Sequence, residues 1–243
     1  MQALATPLVS VVHRGGAYTF SRREEPGGRH AYAARKHTLA DVAVLRPGSV
    51  FETGHRWQLV PAKLYRFEDR HVYLRDRYPL VAHDTVGALA LPDIGAVGVF
   101  DRHPDVPESL HSGNHVAELL LAALRAVAGD DGTVALAFFV DRVCWFLLAR
   151  EGEVVALDNF AVNAETDAVF YAAALLEHYG VEREGCPLLF GGTIAVASPL
   201  HRQLAIYFDL HELSEVLAGR PPTPAHDLLR AYARSLRDEP LEG

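Results

Sequence analysis

The sequence predicts an α/β protein of two similar halves, each laid out in the order β-β-β-α-β-α, with a further helix at the C-terminal end. Three observations carry this. Each half opens with short apolar segments separated by Gly, Pro and Asp turn clusters. A stretch of helical periodicity follows each set of strands. The two openings also superpose at a constant offset of 127: Val11-Val12 falls on Phe138-Phe139, Tyr18-Thr19-Phe20 on Trp145-Phe146-Leu147, and Arg23-Glu24 on Arg150-Glu151. An internal duplication of this length means paired domains, not a solenoid, whose units run to about 20–50 residues. The expected division is 1–129 for the first lobe, 130–219 for the second, and 220–243 for a proline-rich break and a closing helix.

The elements follow in order. LVSVVH (Leu8 to His13) turns through Arg14-Gly15-Gly16 into AYTFSRR (Ala17 to Arg23), and Glu25-Pro26-Gly27-Gly28 turns again into RHAYAAR (Arg29 to Arg35). A short helix from Thr38 to Leu45 takes Thr38 as its N-cap. Beyond Pro47-Gly48, three segments read as strands: WQLVP ending at Pro61, HVYLR from His71 to Arg75, and AVGVF from Ala96 to Phe100. Asn114 is the expected cap of a helix from His115 to Val127, with Val116, Leu119, Leu120, Ala123, Leu124 and Val127 on its apolar face and Gly129 as its stop.

After Asp130-Asp131-Gly132, TVALAFFV (Thr133 to Val140) and VCWFLLAR (Val143 to Arg150) form a hairpin about Asp141-Arg142. VCWFLL is apolar on both faces, which predicts a central strand covered on both sides. VVALDNFAV (Val154 to Val162), a helix from Glu165 to Tyr179 and the buried strand PLLFGG (Pro187 to Gly192) complete the repeat. Arg220-Pro221-Pro222-Thr223-Pro224 is a stiff break before an amphipathic helix from Ala225 to Arg237, expected to dock on its own domain.

Composition narrows the functional classes. Apolar residues make up 49% of the 243 and charged residues 22%, which is globular and leaves no place for a disordered or fibrous chain. The longest apolar stretch, Thr133 to Ala149, is interrupted by Asp141 and Arg142, whereas a spanning helix needs roughly 20 uninterrupted apolar residues. The N-terminal MQALATPLVSVV lacks the basic region of a secretory signal, so a cytoplasmic protein is expected. Residues 1–129 carry 15 basic and 13 acidic side chains, whereas 130–243 carry 8 and 18. No basic stripe exists to follow a phosphate backbone, which argues against nucleic acid as a partner. Cys144 and Cys186 are too few for a disulfide framework and lack zinc-site spacing. His111 and His115 are four apart, but Ser112-Gly113-Asn114 between them reads as loop and cap, so no metal is expected there. No GxxxxGK[ST], GxGxxG or GxSxG motif is present.

The doubled β-β-β-α-β-α unit resembles the plan of the actin-like, sugar-kinase and Hsp70-type ATPase superfamily, whose lobes are ribonuclease H-like. The resemblance implies ATP with magnesium between the halves, one phosphate hairpin from each half, and a double glycine on the adenosine side. Matched by residue, Leu188 to Thr193 resembles the adenosine-side strand, with Gly191 and Gly192 as the pair. Asp141 stands where a phosphate-side aspartate is expected, but Arg142, Val143 and Cys144 replace the glycines that would follow. In the first half Arg14 occupies the equivalent place, beside Gly15 and Gly16, and that hairpin holds no carboxylate.

A closer resemblance is to the uncharacterised family called domain of unknown function 3822, over Leu8 to Phe208. It rests on the opening hairpins, WQLVPAKLY, the segment His111–Leu121, and FFVDRVCWFLLAREGEVVALDNF followed by a long helix and LLFGG. That family carries no activity to transfer. The degenerate hairpins predict a non-catalytic binding or scaffold protein with a protein partner and no cofactor. The alternative is an ATP-binding protein, a weak ATPase or small-molecule kinase, using Arg14, Gly15, Gly16, Asp141, Gly191 and Gly192.

Overall fold

A computed structural model describes residues 8–13, 15–26, 30–45, 47–75, 77–78, 86–130, 132–140 and 142–238. The chain divides into two compact units, the first running through Glu118 and the second from Leu119.

The first unit begins with β1 (Leu8–His13), β2 (Gly16–Glu24) and β3 (His30–His37), an antiparallel meander, then α1 (Leu39–Leu45) and β4 (Ser49–Glu52). β4 returns parallel to β1, giving the order β3-β2-β1-β4. Thr38 caps α1 as expected: its Oγ1 accepts from the Asp41 N–H at 3.2 Å and donates to Asp41 Oδ2 at 2.7 Å. Val12, Ala17, Leu39, Val42, Val50, Val106 and Leu110 form the core on the helix side.

A second sheet follows, from β5 (Trp57–Pro61), β6 (Val86–Leu91) and β7 (Ala96–Asp101) in the antiparallel order β5-β7-β6. Between β5 and β6 lies α2 (Arg70–Arg75), which corrects the expected strand over His71–Arg75. The alternation of Val72 and Leu74 suggested a strand, but five residues do not separate a strand from a short helix. Only Leu74 is buried, against Val60, Val86, Val97 and Val99, while Val72 is exposed. Glu68 and Asp69 precede the helix and favour its N-terminal end.

α3 (Val116–Val127) carries the chain into the second unit. Its cap is His115, not Asn114. His115 Nδ1 accepts from the Ala117 N–H at 3.1 Å, and Glu118 Oε1 accepts from the His115 N–H at 3.0 Å. Glu118 thus supplies the N3 half of a capping box, while the imidazole caps N2 in the hydroxyl's place. Asn114 instead donates from Nδ2 to the Val50 carbonyl.

The second unit contains β8 (Thr133–Val140), β9 (Val143–Arg150), β10 (Glu153–Ala161), α4 (Glu165–His178), β11 (Leu188–Gly192), α5 (Pro199–Ala205), β12 (Leu210–Glu212), α6 (Leu213–Ala218) and α7 (Pro224–Asp238). The sheet order is β10-β9-β8-β11-β12, with β11 parallel to both β8 and β12. Its first four strands therefore repeat the order and directions of the first unit's opening sheet. β9 is interior and covered on both faces, as its composition predicts: Trp145 and Phe146 are each 0% exposed. One face packs Ala137, Phe139 and Phe146 against Ala168, Ala172 and Leu176 of α4 and Leu204 of α5. On the other, Phe138 stacks on Tyr232 of α7 with ring centroids 6.0 Å apart.

α7 docks on its own unit, as expected. Thr223 Oγ1 accepts from the His226 N–H at 3.2 Å, Pro224 takes the first helical position, and Leu228, Leu229, Tyr232 and Leu236 are buried.

Candidate functional site

The sequence points to three places: the two hairpins and the double glycine. In the first hairpin Gly15 has φ +81°, the left-handed conformation that a tight two-residue turn demands, and Gly16 pairs with His13. His13 is buried with its ring edge-on to Tyr18 at 5.7 Å. Arg14 lies outside the described residues. In the second hairpin Val140 pairs with Val143, Arg142 is exposed, and Asp141 lies outside the described residues.

The double glycine closes β11. Gly192 has φ +84°, and a Cβ there would stand 1.9 Å from the Phe139 carbonyl oxygen. Only glycine fits against β8 at that point. Thr193 next donates its N–H to the same oxygen at 2.8 Å. A Cβ on Gly191 would meet the Phe138 ring at 3.1 Å and Leu213 Cβ at 3.5 Å. Above Gly191, Leu213 and Leu217 of α6 and Leu229 and Ala233 of α7 close down to a cavity of about 10 Å³. A single water needs roughly that much. Arg237 Nη1 and Ser214 Oγ both donate to Glu212 at the rim, at 2.8 and 2.7 Å.

A polar cluster that sequence reading missed lies in the first unit, at the C-terminal end of β4. Glu52 pairs in register with Val12, the penultimate residue of β1, so it stands next to the first hairpin. It is 2% exposed. Its Oε1 accepts from the Ser112 N–H at 3.1 Å and faces Arg102 Nε at 3.4 Å. Burial outweighs both partners and raises its pKa to about 7. Arg102 Nη2 donates to the Ser112 carbonyl at 2.7 Å, and Thr53 Oγ1 donates to the Val12 carbonyl at 3.0 Å. The group therefore ties β1, β4, the residue after β7 and the loop before α3 together.

His115 adjoins it, fully buried against Trp57 (5.1 Å) and Phe100 (4.6 Å). Burial lowers its pKa to about 3, so the ring is neutral, and accepting at Nδ1 places its proton on Nε2. His111 turns elsewhere, to the Val106 carbonyl at 3.1 Å. Among the described residues no group of three or more His, Cys, Asp or Glu side chains could hold a metal ion. Both cysteines are buried; burial pushes the Cys186 thiol up to about 11 and the Cys144 thiol well above its ordinary value. Neither is poised as a nucleophile. The only sequence signal for the cluster was a carboxylate between Phe51 and Thr53 at the end of a short apolar run, just before Gly54-His55.

The fold has relatives among solved structures. A Bacteroides thetaiotaomicron protein with actin-like ATPase fold and unknown function superposes with a TM-score of 0.71 at 11% identity, over 93% of this chain and 96% of that one. A chain of a PilM–PilN type IV pilus biogenesis complex superposes with a TM-score of 0.54 at 13% identity, over 97% of each. The chain thus has an actin-like fold, two α/β lobes with a C-terminal helix. No family model and no curated protein sequence matches the chain. No helix among the described residues is long and apolar enough to cross a membrane.

Proposed function

We propose that this chain is a non-catalytic binding or scaffold protein, cytoplasmic, that keeps an actin-like fold and recognises another protein. One observation carries the reading. The double glycine, which in an actin-like ATPase would leave room for adenosine, here accommodates the chain's own Phe138, Phe139 and Leu213. The hairpin sequences agree with it, because Arg14 cannot ligate magnesium and Arg142 and Val143 would crowd a phosphate approaching the backbone. The pilus-complex neighbour, solved with a protein partner, is consistent with protein recognition on this fold. Within the same reading the chain is a member of the domain of unknown function 3822 family, with lobes 1–129 and 130–219 descended from one duplicated unit and 220–243 added.

The second reading is an ATP-binding protein using Arg14, Gly15, Gly16, Asp141, Gly191 and Gly192. Glu52 favours it, as a carboxylate beside the first hairpin that the hairpin itself lacks. Two measurements separate the readings. Saturating ATP with magnesium should leave the melting temperature unchanged, whereas occupancy at a hundredfold excess over Kd adds about 3 kcal/mol of stability. Phosphate release should stay at background for the wild type and for Asp141→Ala alike. Turnover in the wild type that Asp141→Ala abolishes would establish the second reading, since phosphoryl transfer rests on positioning and neutralising the phosphates.

A further inference from the structure

The first unit's opening sheet and the first four strands of the second repeat one another in order and direction, yet one face differs between them. In the second unit that face is apolar and roofed: Ala135, Ala137, Phe146 and Leu148 pack with the 14-residue α4. At the repeat offset of 127 the first unit places Leu8, Ser10, Thr19 and Ser21 there. Its roof is α1, seven residues and about 10 Å of helix against the roughly 30 Å of β2. Leu39 and Val42 of α1 reach Val12 and Ala17 at one end of the sheet.

Beside α1 this leaves a concavity of about 330 Å³, within the range of small-molecule sites. Leu8 on β1 and Leu45 on α1 form its apolar wall. Across from them lie Thr19 and Ser21 of β2 and Arg35 and His37 of β3, with Arg35 paired directly to Thr19. Thr19 is 3% exposed. Its other cross-strand partner, Ser10, shares the face, is 0% exposed and has no hydrogen-bond partner for Oγ. Buried hydroxyls are ordinarily satisfied. A row of them where the sister unit has Ala137 and Phe146 leaves donors for a bound acceptor. Arg35 is exposed, and among the described residues no carboxylate pairs with it. His37, by contrast, has a counter-charge in Asp41. The concavity therefore combines one unopposed cation, hydroxyl donors and an apolar wall.

We propose that this concavity binds a small organic carboxylic acid with an apolar tail, its carboxylate held by the Arg35 guanidinium and the Thr19 hydroxyl and its tail laid along Leu8 and Leu45. An ionised carboxylate only accepts hydrogen bonds, which suits a wall of donors, and a planar guanidinium meets it with two parallel bonds. A phosphate ester carries about two negative charges, of which a single free cation matches one. The site lies within the first unit and goes beyond the protein-binding reading without depending on it.

The test is calorimetric titration of the full chain with octanoate as the probe. The wild type should bind one equivalent with a dissociation constant on the order of 1 mM or below, the affinity open to a ligand of this size. Octanol and octylamine, which lack the anion, should bind about tenfold more weakly or worse. Acetate, with the charge but no tail, should give no measurable heat. Arg35→Met, at an exposed position, should weaken octanoate about tenfold, and Thr19→Val, which keeps the side chain's shape, about fivefold. The comparison of octanoate with octanol is made on the wild type, so it decides even where a variant misfolds. Equal binding of the two overturns the proposal, as does octanoate binding that both substitutions leave intact. A wild type that takes up no octanoate at about 10 mM overturns it too. A peptide with an apolar C-terminal residue and a free carboxylate that binds more tightly than octanoate would overturn the small-acid assignment and give the site to a chain end.

Discussion

Glu52 and His115 are close neighbours in the first unit, and burial drives their proton affinities in opposite directions. The glutamate's pKa rises from 4.5 to about 7, so the folded state holds a proton that the unfolded state has released. Stability from this group is full below about pH 4.5 and declines as pH rises through 7, by about 3 kcal/mol. His115 falls from 6.5 to about 3, so here the unfolded state binds the extra proton. Its contribution is full above pH 6.5 and is lost as pH falls toward 3. Between about pH 4.5 and 6.5 the two slopes oppose each other. Glu52→Gln should expose the histidine's slope alone: chemical denaturation from pH 4 to 8 should show stability rising with pH up to about 6.5 in the variant, with a flatter profile in the wild type. Parallel profiles would mean that folding leaves the Glu52 pKa unchanged. Gly192 makes a simpler case. With φ +84° and a backbone oxygen where Cβ would sit, Gly192→Ala should cost about 3 kcal/mol or more, read as a drop in the denaturation midpoint.

Among the elements, β9 offers the clearest prediction. It lies between β8 and β10, and Trp145 is wholly enclosed. Trp145→Asp should abolish the cooperative unfolding transition, since it buries an unpaired charge. Thr38→Ala at the exposed cap of α1 should cost only about 1 kcal/mol. The elements legible from sequence were those whose signal is local. Gly15, Pro26 and Gly152 mark turns, and the stripe from Val116 to Val127 marks a helix. α2 went astray because two alternating apolar residues cannot fix a period. β6 was missed because Val86 to Leu91 includes Gly87, Ala88 and Ala90, small residues with weak strand propensity. α5, β12 and α6 went unread because each is seven residues or shorter and held by tertiary packing. Of the candidate sites, the glycines could be found from composition. The Glu52–Arg102–Ser112 cluster could not, because its members lie 50 and 60 residues apart and only the parallel pairing of β1 with β4 and the turn beyond β7 bring them together.

For the whole molecule, the late position of α7 in the sequence has a consequence during synthesis. The ribosome delivers the second sheet long before it delivers the cover for one of its faces. Phe138 emerges 94 residues ahead of Tyr232, the ring that stacks on it. Chains elongate at about 5–20 residues per second, so the nascent second unit spends at least several seconds with apolar surface bare. Such a chain should be a substrate for holding chaperones through that interval. Stopping translation at Gly219 would make the interval permanent, and the product should collect in the insoluble fraction. Leu229→Ala, which thins the cover without removing it, should remain soluble and lose about 2–5 kcal/mol of stability. The same timing sets where synonymous codons matter. Slow codons between Gly192 and Thr223 would prolong the exposure, whereas slow codons before Thr133 would leave it unchanged.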